Sequence, residues 1–117
     1  MEKQKLNYFK GRLEEMHQHL NDEIAHLQQA TNTLYQDAEF GVSNHMADDA
    51  TDIYEREKNM ALIEDRQQLL EQVQEALDRV ANGTYGICLK SGKPIDLERL
   101  EVLPYAATAV ELSGSRD

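Results

Sequence analysis

Two apolar stripes with helical spacing constrain this 117-residue chain more than any other feature of its sequence. In an α-helix, residues at steps of three, four or seven lie on one face. Between residues 2 and 36 this spacing links Leu6, Phe9, Leu13, Met16, Leu20, Ile24, Leu27 and Leu34. Between residues 50 and 81 it links Ile53, Met60, Ile63, Leu70, Val73, Leu77 and Val80. The spacing therefore predicts two long amphipathic helices.

The two stripes also match each other when one of them is read backwards. Facing residues of an antiparallel hairpin have numbers whose sum stays nearly constant. That sum is 86 or 87 for the pairs Leu6–Val80, Leu13–Val73, Met16–Leu70, Leu27–Met60 and Leu34–Ile53. We therefore predict a mainly α fold in which residues 1–81 form a long antiparallel coiled-coil hairpin. Its tip should lie near residues 37–49, where turn-forming residues interrupt the helical spacing.

Residues 82–117 differ in character and predict a small C-terminal domain that begins where the hairpin ends. Asn82-Gly83 is a helix stop, and the tetrapeptide at 91–94 is a tight turn. A short helix is expected over residues 97–103, where Pro104 ends it, and a second short helical segment over residues 106–112.

The charge of the chain argues against some classes of partner. Its 12 basic and 22 acidic residues give a formal net charge of -10. A phosphate backbone would repel such a surface, so we expect no direct binding to nucleic acid. A protein partner with basic patches is the more plausible class.

Three further features indicate a cytoplasmic protein without a membrane segment. Cys88 is the only cysteine, so no internal disulfide can form, which fits a reducing compartment. The N-terminal residues lack the apolar core of a signal peptide. No apolar run approaches the roughly 20 residues that a membrane span needs.

No catalytic pattern stands out, so we expect a protein that is not an enzyme. The sequence has no nucleophile motif, no glycine-rich phosphate loop after a strand and no paired carboxylates in a predicted pocket. His19 and His26 are seven residues apart, whereas metal ligands on one helix are usually three or four apart.

We also expect a monomer, because the two helices of a closed hairpin can cover each other's apolar stripes without a second copy of the chain.

The C-terminal region carries a specific pattern. It reads N-G-T-Y-G-I-C at 82–88, G-K-P-I at 92–95, R-L-E at 99–101 and P-Y-A at 104–106. This pattern resembles the DksA/TraR family of RNA polymerase-binding transcription factors, and the resemblance covers nearly the whole chain. Residues 49–58, D-A-T-D-I-Y-E-R-E-K, are similar to a YteA-like branch from spore-forming bacteria.

The resemblance implies a zinc finger, but this chain departs from its ligand pattern. The family has two C-x-x-C pairs, and the matching positions here are Cys88, Ser91, Ala109 and Leu112. Structural zinc needs four cysteine or histidine ligands, so we expect a zinc-finger-like domain that lacks its metal ligands and binds no metal. A small apolar core would replace the zinc, with Cys88 as one of its buried side chains.

In the family, the hairpin tip enters the secondary channel of RNA polymerase and carries the motif D-x-x-D-x-A. The resemblance therefore assigns partner binding to His45, Asp48, Asp49 and Ala50, with His45 in place of the first acid. Family members also carry basic residues on the second helix that help to bind ppGpp. The matching positions here are acidic or amide residues, so we expect no ppGpp site of that kind: Asp65, Gln67, Gln68, Glu71 and Gln72.

Together these implications predict a transcription regulator that binds RNA polymerase through the secondary channel and modulates initiation, in sporulation or stress. The alternative is a structural or adaptor coiled-coil protein of stress or sporulation that has lost activity on the polymerase. A third possibility, a Gre-like stimulator of transcript cleavage, is less favoured because the C-terminal pattern belongs to the other family.

Overall fold

A computed structural model describes residues 1–39 and 46–109, with the side chains of residues 1–34 and 50–109. It contains three α-helices: α1 (Lys3–Glu39), α2 (Met46–Asn82) and α3 (Leu97–Val102). These described ranges hold no β-strand, and one antiparallel bridge joins Ile87 and Pro94. The predicted mainly α fold with two long helices is therefore confirmed.

Both long helices continue further than the apolar stripes indicate. Each has 37 residues, and both enter the stretch 37–49 that was predicted as the tip. Asp48 and Asp49 favour an early start of α2, because acidic residues in the first turn are stabilised by the helix dipole. The remaining residues of the predicted tip, 40–45, lie outside the described residues.

The chain divides into two compact units, each containing part of both long helices. Unit 1 comprises Met1–Gln18 with the described part of the sequence from Leu70 onward, and unit 2 comprises His19–Leu69. The described part of the predicted C-terminal domain, residues 82–109, therefore belongs to the same compact unit as the start of α1 and the end of α2.

Unit 1 has an apolar core to which every one of its elements contributes. Leu13 of α1, Val73 of α2 and Leu100 of α3 are fully buried. The ring of Phe9 on α1 contacts that of Tyr85, with centroids 6.0 Å apart. Because each fully buried side chain of this size contributes about 1.5–3 kcal/mol, this core is the main attachment of the C-terminal segment to the helices.

Polar contacts at the surface add to this attachment. The Arg12 guanidinium on α1 donates hydrogen bonds to the backbone carbonyl of Glu101 at 2.6 Å and to its carboxylate at 3.1 Å. The hydroxyl of Tyr8 donates to the same carboxylate at 3.1 Å. Since these groups are exposed, they orient α3 more than they stabilise it.

Unit 2 has a seam that is partly polar, which corrects one part of the predicted pairing. Ile53 and Met60 were predicted to face α1, but 47% and 52% of their surfaces are exposed. Asn59 is buried instead, and Arg66, seven residues later, donates to Glu23 of α1 at 3.0 Å. The side chains of α2 that face α1 are therefore not all apolar: Asn59 and Arg66, one heptad apart, occupy seam positions.

The predicted second short helix over residues 106–112 is wrong for its described part, residues 106–109, which are not helical. Their carbonyl groups have other partners. The carbonyl of Ala107 accepts from the Leu89 N–H at 2.8 Å, and that of Thr108 accepts from Arg99 at 2.8 Å. Carbonyls paired with distant donors in this way are taken out of a helical ladder.

The buried hydroxyl of Tyr85 provides a test of this core. It donates to the carbonyl of the fully buried Pro104 at 2.7 Å, and burial raises the pKa of Tyr85 to about 12. Tyr85→Phe leaves that carbonyl without its donor, so we expect a loss of about 1–3 kcal/mol in the free energy of unfolding. Urea unfolding followed by circular dichroism would measure the loss.

The matched control is Tyr8→Phe, which removes the same group from an exposed hydrogen bond. Its cost should stay within about 0.5 kcal/mol, as is usual for surface positions. Equal losses for the two variants would contradict the assignment of Tyr85 as a buried anchor.

Candidate functional site

The predicted partner-binding tip lies around the start of α2. Asp48 and Asp49 fall in the first turn of this helix, where backbone N–H groups lack partners within the helix and negative charge is stabilised. Ala50 follows them and is exposed. His45 and the side chains of Asp48 and Asp49 lie outside the described residues. That these four residues form one binding surface therefore stays a prediction.

The two units differ sharply in charge. Of the 22 acidic and 12 basic residues of the chain, 11 and 3 fall between His19 and Leu69, so unit 2 carries -8 of the net -10. A field of this sign attracts a basic surface over the range of a Debye length, about 8–10 Å, and repels nucleic acid. Unit 2 is therefore suited to a basic protein partner.

The degenerate zinc position is a tight turn closed by backbone hydrogen bonds. The Cys88 N–H donates to the Lys93 carbonyl, and the Gly92 N–H donates to the Cys88 carbonyl, both at 2.8 Å. Gly92 has a φ of 73°, a conformation that a residue with a side chain rarely adopts. This geometry brings the Ser91 N–H to 3.4 Å from the Cys88 sulfur, which accepts its hydrogen bond.

Hydrogen bonds favour the thiolate form of Cys88. They lower the pKa of this thiol to about 6; the largest cause is the Ser91 side chain, followed by the backbone N–H groups of Ser91 and Ala109, while burial opposes the shift. Ser91 and Ala109 stand where the family has ligands, so the structure brings three of the four degenerate positions together. Leu112, the fourth, lies outside the described residues.

These residues do not fit a four-cysteine zinc site. Cys88 is the only cysteine of the chain, and an alanine at 109 offers no side-chain ligand. Across the residues that the structure describes, no group of three His, Cys, Asp or Glu side chains is placed to hold a metal ion. The Cys88 sulfur accepts hydrogen bonds where the family's thiolates would bind metal.

Sequence reasoning missed two arginines that line a cleft of about 330 Å³ in unit 1. Arg79 of α2 donates to the carbonyls of Tyr105 and Ala106 at 3.3 and 3.4 Å, and Arg99 of α3 donates to that of Thr108. Burial lowers the pKa of Arg79. Both arginines thus hold the segment 105–108 in place, a role that no local sequence pattern signals because the accepting carbonyls are distant in sequence.

One basic residue, Arg66, lies close to the positions of the second helix at which the family has basic residues. Arg66 pairs with Glu23 at 3.0 Å and with Asp65 at 2.5 Å, and the hydrogen bond that Arg66 donates to Glu23 raises the pKa of Arg66. Its guanidinium is therefore engaged by two carboxylates of the chain itself. A polyphosphate would have to compete with both of them.

Comparison with known proteins agrees with this architecture. Residues 83–108 match the prokaryotic DksA/TraR C4-type zinc finger. The RNA polymerase-binding transcription factor DksA of Caulobacter vibrioides is 32% identical over 117 residues, which cover 95% of this chain and 75% of that protein. The chain belongs to the DksA/TraR family.

A solved structure and a further relative extend the comparison. The transcription factor DksA2 from Pseudomonas aeruginosa superposes with a TM-score of 0.83 at 29% identity, covering 97% of this chain and 83% of that one. The protein YteA of Bacillus subtilis is 49% identical over 71 residues, which supports the YteA-like branch. That match covers 61% of this chain and 30% of YteA, so the chain spans less than two thirds of this relative's length.

Among the helices of the described residues, none is long and apolar enough to cross a membrane. The relatives from Caulobacter vibrioides and Pseudomonas aeruginosa are both named as transcription factors.

The lowered pKa of Cys88 leads to a prediction about its titration. Wild-type protein should show a thiol with an apparent pKa near 6, and Ser91→Ala should raise it toward the ordinary value of about 8.5, because the hydroxyl that stabilises the thiolate is lost. The pH dependence of thiolate ultraviolet absorbance measures this directly, since Cys88 is the only cysteine. Ser91→Thr keeps a hydroxyl and serves as the control.

The same shift gives the stability of the fold a defined pH dependence. Because the folded-state pKa is lowered, the contribution of Cys88 is present above its unfolded pKa and is lost as the pH falls toward about 6. The difference in unfolding free energy between wild type and Cys88→Ala should therefore shrink on acidification through this range. A difference that stays constant would contradict a stabilised thiolate.

Proposed function

We propose that this chain binds RNA polymerase through the α1–α2 end of its hairpin, in the secondary channel, and modulates transcription initiation. The observation that carries this proposal is the similarity over 95% of the chain to a relative named RNA polymerase-binding transcription factor. The two 37-residue helices and the superposition on DksA2 support it at the level of the fold. Bacterial RNA polymerase works in the cytoplasm, which is where the proposal places the chain.

Charge at the start of α2 supplies the proposed chemistry. Asp48 and Asp49 lie in a unit of net charge -8, and carboxylates of this kind can act on a metal ion, its water ligands or nearby basic loops. Because His45 stands at the position of the first motif acid, this effect should be weaker than that of a tip in which both acids of the D-x-x-D-x-A motif are present. Since no sequence-specific contact with DNA is involved, the expected effect is on the lifetime of the open complex.

The alternative hypothesis is a structural or adaptor coiled-coil protein of stress or sporulation that has lost activity on the polymerase. The absence of three family zinc ligands from the sequence favours this reading. The two hypotheses differ in whether the purified protein binds core RNA polymerase and in whether Asp48 affects the lifetime of the open complex.

Asp48→Asn tests the role of the tip. We expect most of the effect on open-complex lifetime to be lost, because the substitution removes one charge at nearly constant shape. Affinity for core RNA polymerase should change by less than about threefold, because the substitution alters a single charge. A promoter-complex decay assay and a fluorescence binding titration measure the two quantities.

The matched control is Glu71→Gln, which removes the same charge from an exposed position of α2 in unit 1. It should leave both quantities at wild-type values. Absence of binding by wild-type protein with normal helical circular dichroism would reject the proposal and favour the adaptor. Equal effects of Asp48→Asn and Glu71→Gln would remove the special role of the tip.

We also infer that the chain folds without zinc and without a ppGpp site of the family's kind. The support is the single thiol, its hydrogen bonds to Ser91 and Ala109, and the engagement of Arg66 by Glu23 and Asp65. The apolar core of unit 1 takes over the structural role that zinc has in a four-cysteine finger.

Metal analysis of the purified protein tests the zinc inference. We expect substoichiometric zinc by mass spectrometry, and an unfolding midpoint that a strong chelator does not change. One zinc ion per chain, or loss of structure with the chelator, would contradict it.

A further inference from the structure

The seam between α1 and α2 in unit 2 is poor in buried hydrophobic side chains. Of the eleven that are buried among the described residues, nine lie in unit 1 and two, Leu20 and Ile24, lie in unit 2. Both of these belong to α1, and the side chain that the described part of α2 buries in this unit is Asn59. Because buried apolar surface is the main source of stability, unit 2 is held closed less firmly than unit 1.

Steps of seven residues along α2 lead from the core of unit 1 into this polar seam. Val73 is fully buried, and positions 66, 59 and 52 on the same line of the helix carry arginine, asparagine and aspartate. Arg66 donates to Glu23 across the seam at 3.0 Å, but both side chains are partly exposed, so this pair contributes little stability.

The seam positions of α1 show the same trend. Leu27 and Leu34, further along the stripe than Ile24, are only partly buried. Thr31 is buried, and its hydroxyl donates to the Leu27 carbonyl of its own helix at 2.8 Å. This hydrogen bond is independent of α2, so separating the helices does not break it.

Charge opposes the closure of this seam. Unit 2 contains 11 acidic and 3 basic residues, a net charge of -8. Pairing the two helices brings these like charges together, and their repulsion favours separated helices. Salt screens this repulsion, since the Debye length falls from about 30 Å at 0.01 M to about 10 Å at 0.1 M ionic strength. The closed form of unit 2 is therefore favoured by higher ionic strength.

We propose that the polar seam of unit 2 opens cooperatively while unit 1 stays folded, and that ionic strength sets the fraction of chains in which it is open. In the open form, α1 and α2 remain joined through the core of unit 1. The inference is independent of the proposed function. A partner that recognises only the paired helices would bind with an affinity reduced in proportion to the closed fraction.

Amide hydrogen exchange of the full chain, followed residue by residue by NMR, tests this opening. Helices without tertiary packing are marginal in water, so their amides exchange once the seam has separated. We expect residues 20–34 and 50–66 to share a protection factor about tenfold or more below that of residues 9–16 and 73–80. Equal protection in both units would overturn the proposal, and so would a gradual decline toward residues 34 and 50, which is the pattern of fraying.

Tyr85→Phe tests whether unit 1 stays folded during the opening. The substitution weakens the core of unit 1, which is intact both in the closed chain and in the chain with an open seam. Exchange in unit 1 should therefore become about tenfold faster, while exchange in unit 2 keeps its wild-type rate. Equal acceleration in both units would show that they open together and would overturn the proposal.

Asn59→Leu tests the polar seam as the cause of the opening. It places an apolar side chain at a buried position and should slow exchange in unit 2 about tenfold. The matched control is Met60→Leu, which introduces the same residue at the adjacent, half-exposed position and should leave the rates unchanged. Equal effects of the two variants would contradict the assignment.

Sodium chloride tests the role of charge in the wild-type chain. Raising it from about 0.01 M to about 0.1 M at constant pH should increase the protection of unit 2 several-fold, because screening weakens the repulsion between its helices. Protection that stays constant or falls would overturn the dependence on ionic strength and with it the proposal.

Discussion

The apolar core of unit 1 is the interaction on which the rest of the structure depends. Zinc fingers of four cysteines hold their loops by metal bonds, and this chain retains one thiol. Leu13, Val73 and Leu100 are fully buried and join the C-terminal segment to both long helices. Tyr85 adds a buried hydrogen bond to this core, and Arg79 and Arg99 secure the segment 105–108 at its edge.

Unit 2 differs from unit 1 in having a partly polar seam between α1 and α2. Its seam includes Asn59 and the Arg66–Glu23 pair, which contribute less burial than leucines at the same positions would. Polar seam residues are known to define register and partner number in coiled coils. The seam of this unit therefore contributes less to stability than an all-apolar seam would, and the unit carries -8 of the net charge.

The helices and the family could be predicted from the sequence because each depends on local spacing or on a contiguous motif. The apolar spacing predicts Ile53 and Met60 in the seam, but Asn59 and Arg66 occupy it, because polarity alone does not decide which face of a helix is covered. The segment from Ala106 was misread as helical because its carbonyls pair with Leu89, Arg79 and Arg99, which are distant in sequence. The degenerate positions 88, 91 and 109 were identified through the resemblance, but the hydrogen bonds around the Cys88 sulfur required coordinates.

The contact between Phe9 and Tyr85 has a consequence for how the chain reaches its folded state. These rings lie 76 residues apart in sequence, and all of unit 2 falls inside the loop that they close. Closing a loop of this length costs configurational entropy that grows with the logarithm of its length, so helix pairing inside the loop shortens the effective search. Pairing of α1 with α2 in unit 2, although this unit has fewer buried apolar side chains, would therefore bring the two ends of this loop within reach of each other.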